Sequence, residues 1–290
     1  IPPGEAVTGR GYDDSLLLEG RHPTAEDLDR ASTDHPIVLT HVSGHLSAVN
    51  TVALEASDIT ANTADPVGGH IRRVEGSMQP NGVLEEGASR LIRVGRGVTR
   101  TADAIDALIR KSIDVYTAYG TTTIQDGGTN TEFIEALRAA ADREPFDADV
   151  AAFVRVGSMQ DIDDIQHEQT YRRGFRVAGV KLMLDGSPQG RTAWVTEPYE
   201  EGPPGAGSDY RAYGTMNPDR YKTWSAALIR RGVPFLAHAN GDAAMDLMLD
   251  GVDEALSSME VVPDHRSVII HAQLMRADQL DRAAVLNVVP

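Results

Sequence analysis

Lys181, His238 and His271 are the side chains whose surroundings in the sequence ask for chemistry. His238 closes the run Val233-Pro234-Phe235-Leu236-Ala237, and His271 closes Ser267-Val268-Ile269-Ile270, so each imidazole follows the apolar residues of a strand. A lone histidine in such a place is more often a hydrogen-bonded core residue, but two on successive strands can share one metal ion. Lys181 lies inside Ala178-Gly179-Val180-Lys181-Leu182-Met183-Leu184, which is apolar on both faces apart from the lysine. A buried ammonium is costly, so this residue has to be paired, deprotonated or modified. A neutral amine can add carbon dioxide and become a carbamate, a carboxylate able to bridge two divalent ions. The competing reading is an ion pair with Asp185 or another carboxylate. The chain contains no cysteine, so a transition metal would have to be held by His, Asp, Glu or a modified Lys.

Other polar positions carry weaker signals. His45 sits in Gly44-His45, where a turn histidine bonded to backbone competes with a functional role. Asp242 follows Gly241 at the start of a helix and reads first as a capping or first-turn carboxylate. Asp126-Gly127 reads first as a turn. Residues 186–217, with Gly202-Pro203-Pro204-Gly205 and Tyr199, Tyr210 and Tyr213, are too long for an ordinary loop and are expected to cover a substrate with an apolar or aromatic portion.

These residues need a frame, and from residue 101 onward the hydrophobic period switches repeatedly between helix and strand. Ile105, Leu108, Ile109, Ile113 and Tyr116 fall on one helical face, Gly120 closes that helix, and Thr121 to Ile124 follows as a β-branched strand. Thr129 and Glu132 stand at capping-box spacing before a helix, and Asp149 to Val154 is the next strand. A weak polar helix is expected over 159–173, strands over 178–184, 233–238 and 267–271, and helices from Pro218 to Arg231, from Asp242 to Ser257 and over 276–285. Leu286 to Val289 opens a sixth strand. Strict alternation of this kind leaves a closed eight-stranded barrel or an open doubly wound sheet, and no Gly-x-Gly-x-x-Gly turn supports the second. Residues 1–100 are turn-rich and are expected to be an elaborated region after an unseen first barrel strand, with residues 101–290 supplying about strands 2 to 7 of the barrel.

Six fragments, in order, resemble one family: Gly11-Tyr12-Asp13-Asp14-Ser15, Gly44-His45 to Thr51, Gly82-Val83-Leu84-Glu85-Glu86, Val180-Lys181 with Asp185-Gly186-Ser187, His238 to Asp242, and Ile270-His271-Ala272-Gln273. The chain is similar to the branch of the amidohydrolase superfamily that includes N-substituted formamide deformylases. The resemblance implies a TIM-like (β/α)8 barrel with one or two divalent metals, usually zinc, activating water against an amide-type carbonyl. It implies Lys181, His238 and His271 as metal-binding and catalytic residues, and His45 and Asp185 on the substrate side. Members of the family also carry a His-x-His first strand and a strand-8 aspartate. Neither occurs here, so the chain is expected to be an incomplete barrel lacking strands 1 and 8 and a complete site.

Composition sets the remaining limits. A formal charge of −16 and a pI near 4.9 disfavour nucleic acid, which needs a basic footprint. No apolar run reaches membrane-spanning length. The expected protein is cytoplasmic, acts on a small amide-type molecule without membrane or nucleic-acid partners, and has a homodimer as the assembly to test. Two rivals stand beside the hydrolase: a metal-free glycosidase-like barrel using a pair among Asp126, Asp185 and Asp242, and a degenerate barrel without catalysis.

Overall fold

The structure, a computed structural model, describes residues 2, 4–95, 101–261 and 263–290. The chain divides into two compact units, and each draws on three separate stretches: residues 1–97, 184–217 and 240–244 form one, and 98–183, 218–239 and 245–290 the other.

The first unit holds β1 (Val7–Tyr12), α1 (Ala25–Asp29), β2 (Ile37–His41), β3 (Leu46–Val49), α2 (Thr51–Ala56), β4 (Gly69–Arg73) and β5 (Pro80–Glu86). Its five strands lie in the order β1-β2-β3-β5-β4, with β1 and β2 parallel and the other pairs antiparallel. Residues 1–100 therefore carry a sheet of their own where the sequence suggested mainly turns. Local chemistry fixes the connections. Thr24 and Asp27 make a reciprocal capping box at the start of α1. The buried Asn50 side chain caps α2 through the Ala53 amide, accepts from Ile37 N–H at 2.9 Å and donates to the carbonyls of Ser32 and His35. Val49, Leu54, Ile59, Ile71 and Leu84 form the core behind the sheet.

The second unit runs α3 (Ala102–Thr117), β6 (Thr123–Thr129), α4 (Thr131–Arg143), β7 (Asp149–Arg155), α5 (Met159–Asp164), β8 (Phe175–Met183), α6 (Pro218–Arg230), β9 (Phe235–Ala239), α7 (Asp242–Ser257, which counts with this unit from Met245 on), β10 (Val268–His271) and α8 (Ala277–Val285). Its sheet is parallel throughout, in sequential order β6-β7-β8-β9-β10. One face carries Val150, Ala152, Val154, Phe175 and Val177 against Ile109, Ile113, Ile134 and Leu137 of α3 and α4. The other gathers Ala151, Phe153 and Leu236, with Val268 and Ile270 packed on them. Burial on both faces of β7, β8 and β9 explains why those strands read as largely apolar runs.

Three details differ from the sequence expectation. Asn130, not Thr129, caps α4, its side chain accepting from Phe133 N–H at 2.8 Å. The polar helix expected over 159–173 ends at Asp164, because it buries Ile162 alone and has no apolar stripe to extend. The strand expected at Leu286 to Val289 is a single parallel bridge between Val289 and Val268. No helix among the described residues is long and apolar enough to cross a membrane.

Candidate metal centre and its surroundings

In the second unit, strand register places the expected residues at one end of the sheet. Lys181 pairs with Leu236, Met183 with His238, and His238 with Ile270. Partners in a parallel pair face the same side and alternate residues share a face, so Lys181, His238 and Ile270 look the same way. By that rule His271, which pairs with Ala239, should look the other way. It does not, because the backbone leaves the extended region here: His271 has φ 84° and Ala272 φ 48°. The turn brings the His271 ring to 4.6 Å from that of His238, edge to face at 81°. Positive φ at two successive residues with a Cβ is uncommon, and such strain is held mainly where a function needs it.

Lys181 is 7% exposed. Burial, and then the guanidinium of Arg155 beside it in register, push its ammonium down to about 8. About a tenth of the amine is then neutral at pH 7, against far less for an exposed lysine, and the neutral amine is the form that reacts with carbon dioxide. The charged neighbour that register sets beside Lys181 within its own sheet is a cation, Arg155, and not a carboxylate. Two imidazoles side by side with an amine of depressed basicity are donor types that suit a divalent cation.

In the first unit, Asp185 is fully buried and its carboxylate is taken up by backbone. Oδ1 accepts from Asn240 N–H at 3.0 Å, and Oδ2 from Gly241 N–H at 2.7 Å and Trp194 N–H at 3.1 Å. Burial still pushes its pKa up to about 6 against those three donors. Gly241 is obligatory, since a Cβ there would lie 1.8 Å from the Trp194 carbonyl oxygen. Asp185 thus ties two loops together. Asp185→Ala should cost about 3 kcal/mol or more in urea unfolding, because three buried amides lose their acceptor at roughly 1–3 kcal/mol each. An unchanged unfolding midpoint would remove this structural role.

His45 Nδ1 lies 2.9 Å from Glu86 Oε2. Asp242, in the first turn of α7, accepts from the amide of Thr196 at 2.8 Å and from its hydroxyl. In the second unit, Asp126 accepts from Gly128 N–H at 3.1 Å in an Asp-Gly turn. The tyrosines of residues 186–217 are also engaged: Tyr199 and Tyr210 donate to the carbonyls of Ala193 and Arg191, and Tyr213 to Glu85 Oε2. Tyr210 and Tyr213, with His22, Arg72 and Glu85, line an open cleft of about 1320 Å³ within this unit; His45 and Asp185 do not.

The sequence reading missed a group of Asp14, His22 and His41, all buried, which bring one donor atom each to within 4.8 Å of one another. His41 Nε2 lies 3.1 Å from Asp14 Oδ1, and the Tyr12 hydroxyl 3.2 Å from His22 Nδ1. Burial, then Arg72, holds His22 well below the usual imidazole range and so neutral near pH 7. A carboxylate and two imidazoles are a donor set for a divalent ion. Here they also form a hydrogen-bonded chain: Ser43 N–H donates to His41 Nδ1, which leaves the proton of a neutral ring on Nε2, facing Asp14. A cation binding there must displace that proton. His41 could have been found by a signal like the one that marked His238, since it ends a strand that opens with the apolar run Ile37-Val38-Leu39; nothing local marks Asp14 or His22.

Comparison with known proteins follows the same line. The sequence profile of the amidohydrolase family matches residues 1–290. LONG AFTER FAR-RED 3 of Arabidopsis thaliana is 27% identical over 99% of this chain and 50% of its own length. The N-substituted formamide deformylase of Arthrobacter pascens is 25% identical over 87% of this chain and 47% of its own. An uncharacterized metal-dependent hydrolase from Pyrococcus horikoshii OT3 superposes with a TM-score of 0.62 at 22% identity, covering 98% of this chain and 53% of that one, a likeness of fold. The chain spans about half the length of the curated relatives it matches.

Proposed function

Because the chain belongs to the amidohydrolase family, we propose that it is part of a metal-dependent hydrolase of small amide-type molecules, cleaving a carbon–nitrogen bond other than a peptide bond. In this reading the parallel sheet β6 to β10 is the middle of a (β/α)8 barrel lacking strands 1 and 8, and its C-terminal edge is the catalytic end. The observation that carries the reading is the pairing of His238 and His271 at that edge, achieved by a strained turn at His271. His238, His271 and Lys181, the last as a carbamate, would hold one or two divalent cations, with zinc suited to the donor types. The cation, when bound, supplies a Lewis acid and an activated water. His238 contributes a buried, preoriented imidazole, and Lys181 an amine whose neutral form is favoured by its surroundings. The family resemblance gives His45 and Asp185 a substrate-side role, and within the first unit Asp185 ties the loops at Trp194 and Asn240-Gly241 together. The glycosidase-like rival draws little from the structure, since Asp126, Asp185 and Asp242 are each engaged with backbone amides.

The test is to offer the zinc-loaded full-length protein a panel of N-substituted formamides with aromatic and with short aliphatic substituents, alongside nitrophenyl glycosides. Release of formate and amine, lost on chelation and recovered with zinc, is expected. Glycoside turnover that survives chelation would sink the reading.

A further inference from the structure

His45 and Glu86 meet twice at the end of the β3–β5 ladder. The last registered pair is Leu46 with Glu85, and one step beyond it the Glu86 amide donates to the His45 carbonyl at 2.8 Å. The side chains then meet at 2.9 Å through His45 Nδ1 and Glu86 Oε2, with 14% and 7% of their surfaces exposed. The second carboxylate oxygen, Oε1, accepts from the Thr192 hydroxyl at 2.8 Å, and that hydroxyl accepts in turn from Ser187 N–H at 3.0 Å.

The backbone is bent to deliver this carboxylate. Glu86 has φ 47° and ψ −118°, a region that residues with a Cβ rarely occupy. Gly186 stands against it because a Cβ there would lie 2.1 Å from both Glu86 Oε1 and Thr192 Oγ1. A strained glutamate, a glycine and a threonine thus converge on one side chain that holds one imidazole nitrogen.

We propose that Glu86 is a positioning residue that fixes the proton of His45 on Nδ1 and so makes Nε2 the hydrogen-bond and proton acceptor of that ring. The proposal rests on the substrate-side place given to His45 above. A carboxylate only accepts, so Nδ1 must donate to it, and a neutral imidazole then keeps its lone pair on Nε2. An imidazole held this way can take a proton as the O–H or N–H bond of a bound molecule breaks and Nε2–H forms. Glu86 then offsets the charge of the imidazolium, as a carboxylate behind a histidine does in other hydrolytic sites.

Imidazole 15N NMR of the metal-free full-length protein reads the tautomer without any substrate, with the His45 signals assigned by their loss in His45→Gln. The wild type should show Nδ1 protonated and Nε2 bare. Glu86→Gly removes the carboxylate and suits the positive φ, which offsets part of the cost of leaving Thr192 and His45 without their acceptor, and the ratio of the two tautomers should move about tenfold or more toward Nε2–H, the scale of a lost charge-assisted hydrogen bond. Glu86→Gln should keep the wild-type pattern, its amide oxygen facing Nδ1 and its NH2 donating to Thr192 Oγ1. A wild-type ring protonated on Nε2, or a Glu86→Gly ring with the wild-type pattern, overturns the proposal, and the wild-type measurement decides even where Glu86→Gly does not fold. With an active substrate in hand, Glu86→Gly should lower kcat more than it raises KM. A shifted tautomer with unchanged kcat would overturn the substrate-side role of His45 and leave its tautomer control standing.

Discussion

Full-length protein carrying His238→Ala or His271→Ala is expected to lose bound metal and to fall at least about 100-fold in hydrolysis, since even partners one shell behind a metal ligand cost 10–100-fold. Metal per chain by mass spectrometry, read together with the thermal midpoint, checks this. The two variants should differ in stability. His238 is 2% exposed on a strand buried along its whole length, so its removal leaves a small cavity and an expected loss of about 1–2 kcal/mol. His271 is exposed and sits at φ 84°, so its removal should leave stability nearly unchanged. Wild-type metal content in either variant would end the assignment of these imidazoles as ligands.

Lys181→Met should act in the opposite sense on the metal-free protein: it should stabilise it. The lysine is held near 8 where an unfolded lysine titrates near 10.5. Below pH 8 both states are protonated, and the folded state carries the full cost of a desolvated ammonium. Between about 8 and 10.5 the unfolded chain binds more protons, so wild-type stability rises with pH across that window. The gap corresponds to roughly 3 kcal/mol, and partial access of water trims the expected gain of the variant at pH 7 to about 2 kcal/mol. Urea unfolding at pH 7 and pH 10 should show the wild type gaining with pH and the variant flat. The same change should lower metal content, and for Lys181→Ala added short-chain carboxylic acids should restore part of it by filling the place of the carbamate. A destabilised variant that keeps its full metal complement would refute both parts.

The sheet of the second unit was largely legible because its central strands β7, β8 and β9 are buried on both faces and its strands are bounded by caps or turns. Helix α7 falls on the expected residues, Asp242–Ser257. The cap of α4 was misplaced by one residue, since Thr129 and Asn130 are both good caps and only the bond from Phe133 N–H distinguishes them. The first unit was not legible, for a physical reason. Strands such as Val7–Tyr12 and Gly69–Arg73 mix glycine and arginine with few apolar residues and lie at the two ends of their sheet, so a single face supplies little periodicity. The site divides in the same way. Lys181, His238 and His271 were marked by apolar neighbours in the chain, whereas Asp14, His22 and Glu86 owe their environment to residues up to 177 positions away, Arg191 near Asp14 being the farthest.

The division of each unit among three stretches of chain governs how the protein can come into being. On a ribosome, residues 1–97 emerge without Asp185, Thr192 and the amides of Asn240 and Gly241, and the sheet β1 to β5 must wait for roughly 150 further residues, about ten to thirty seconds of synthesis, before its loops can close. Contacts between stretches so far apart also slow folding once the chain is free. An early nascent chain of this protein should therefore be a chaperone client, and a truncation near residue 100 should yield an aggregating fragment rather than a smaller stable protein.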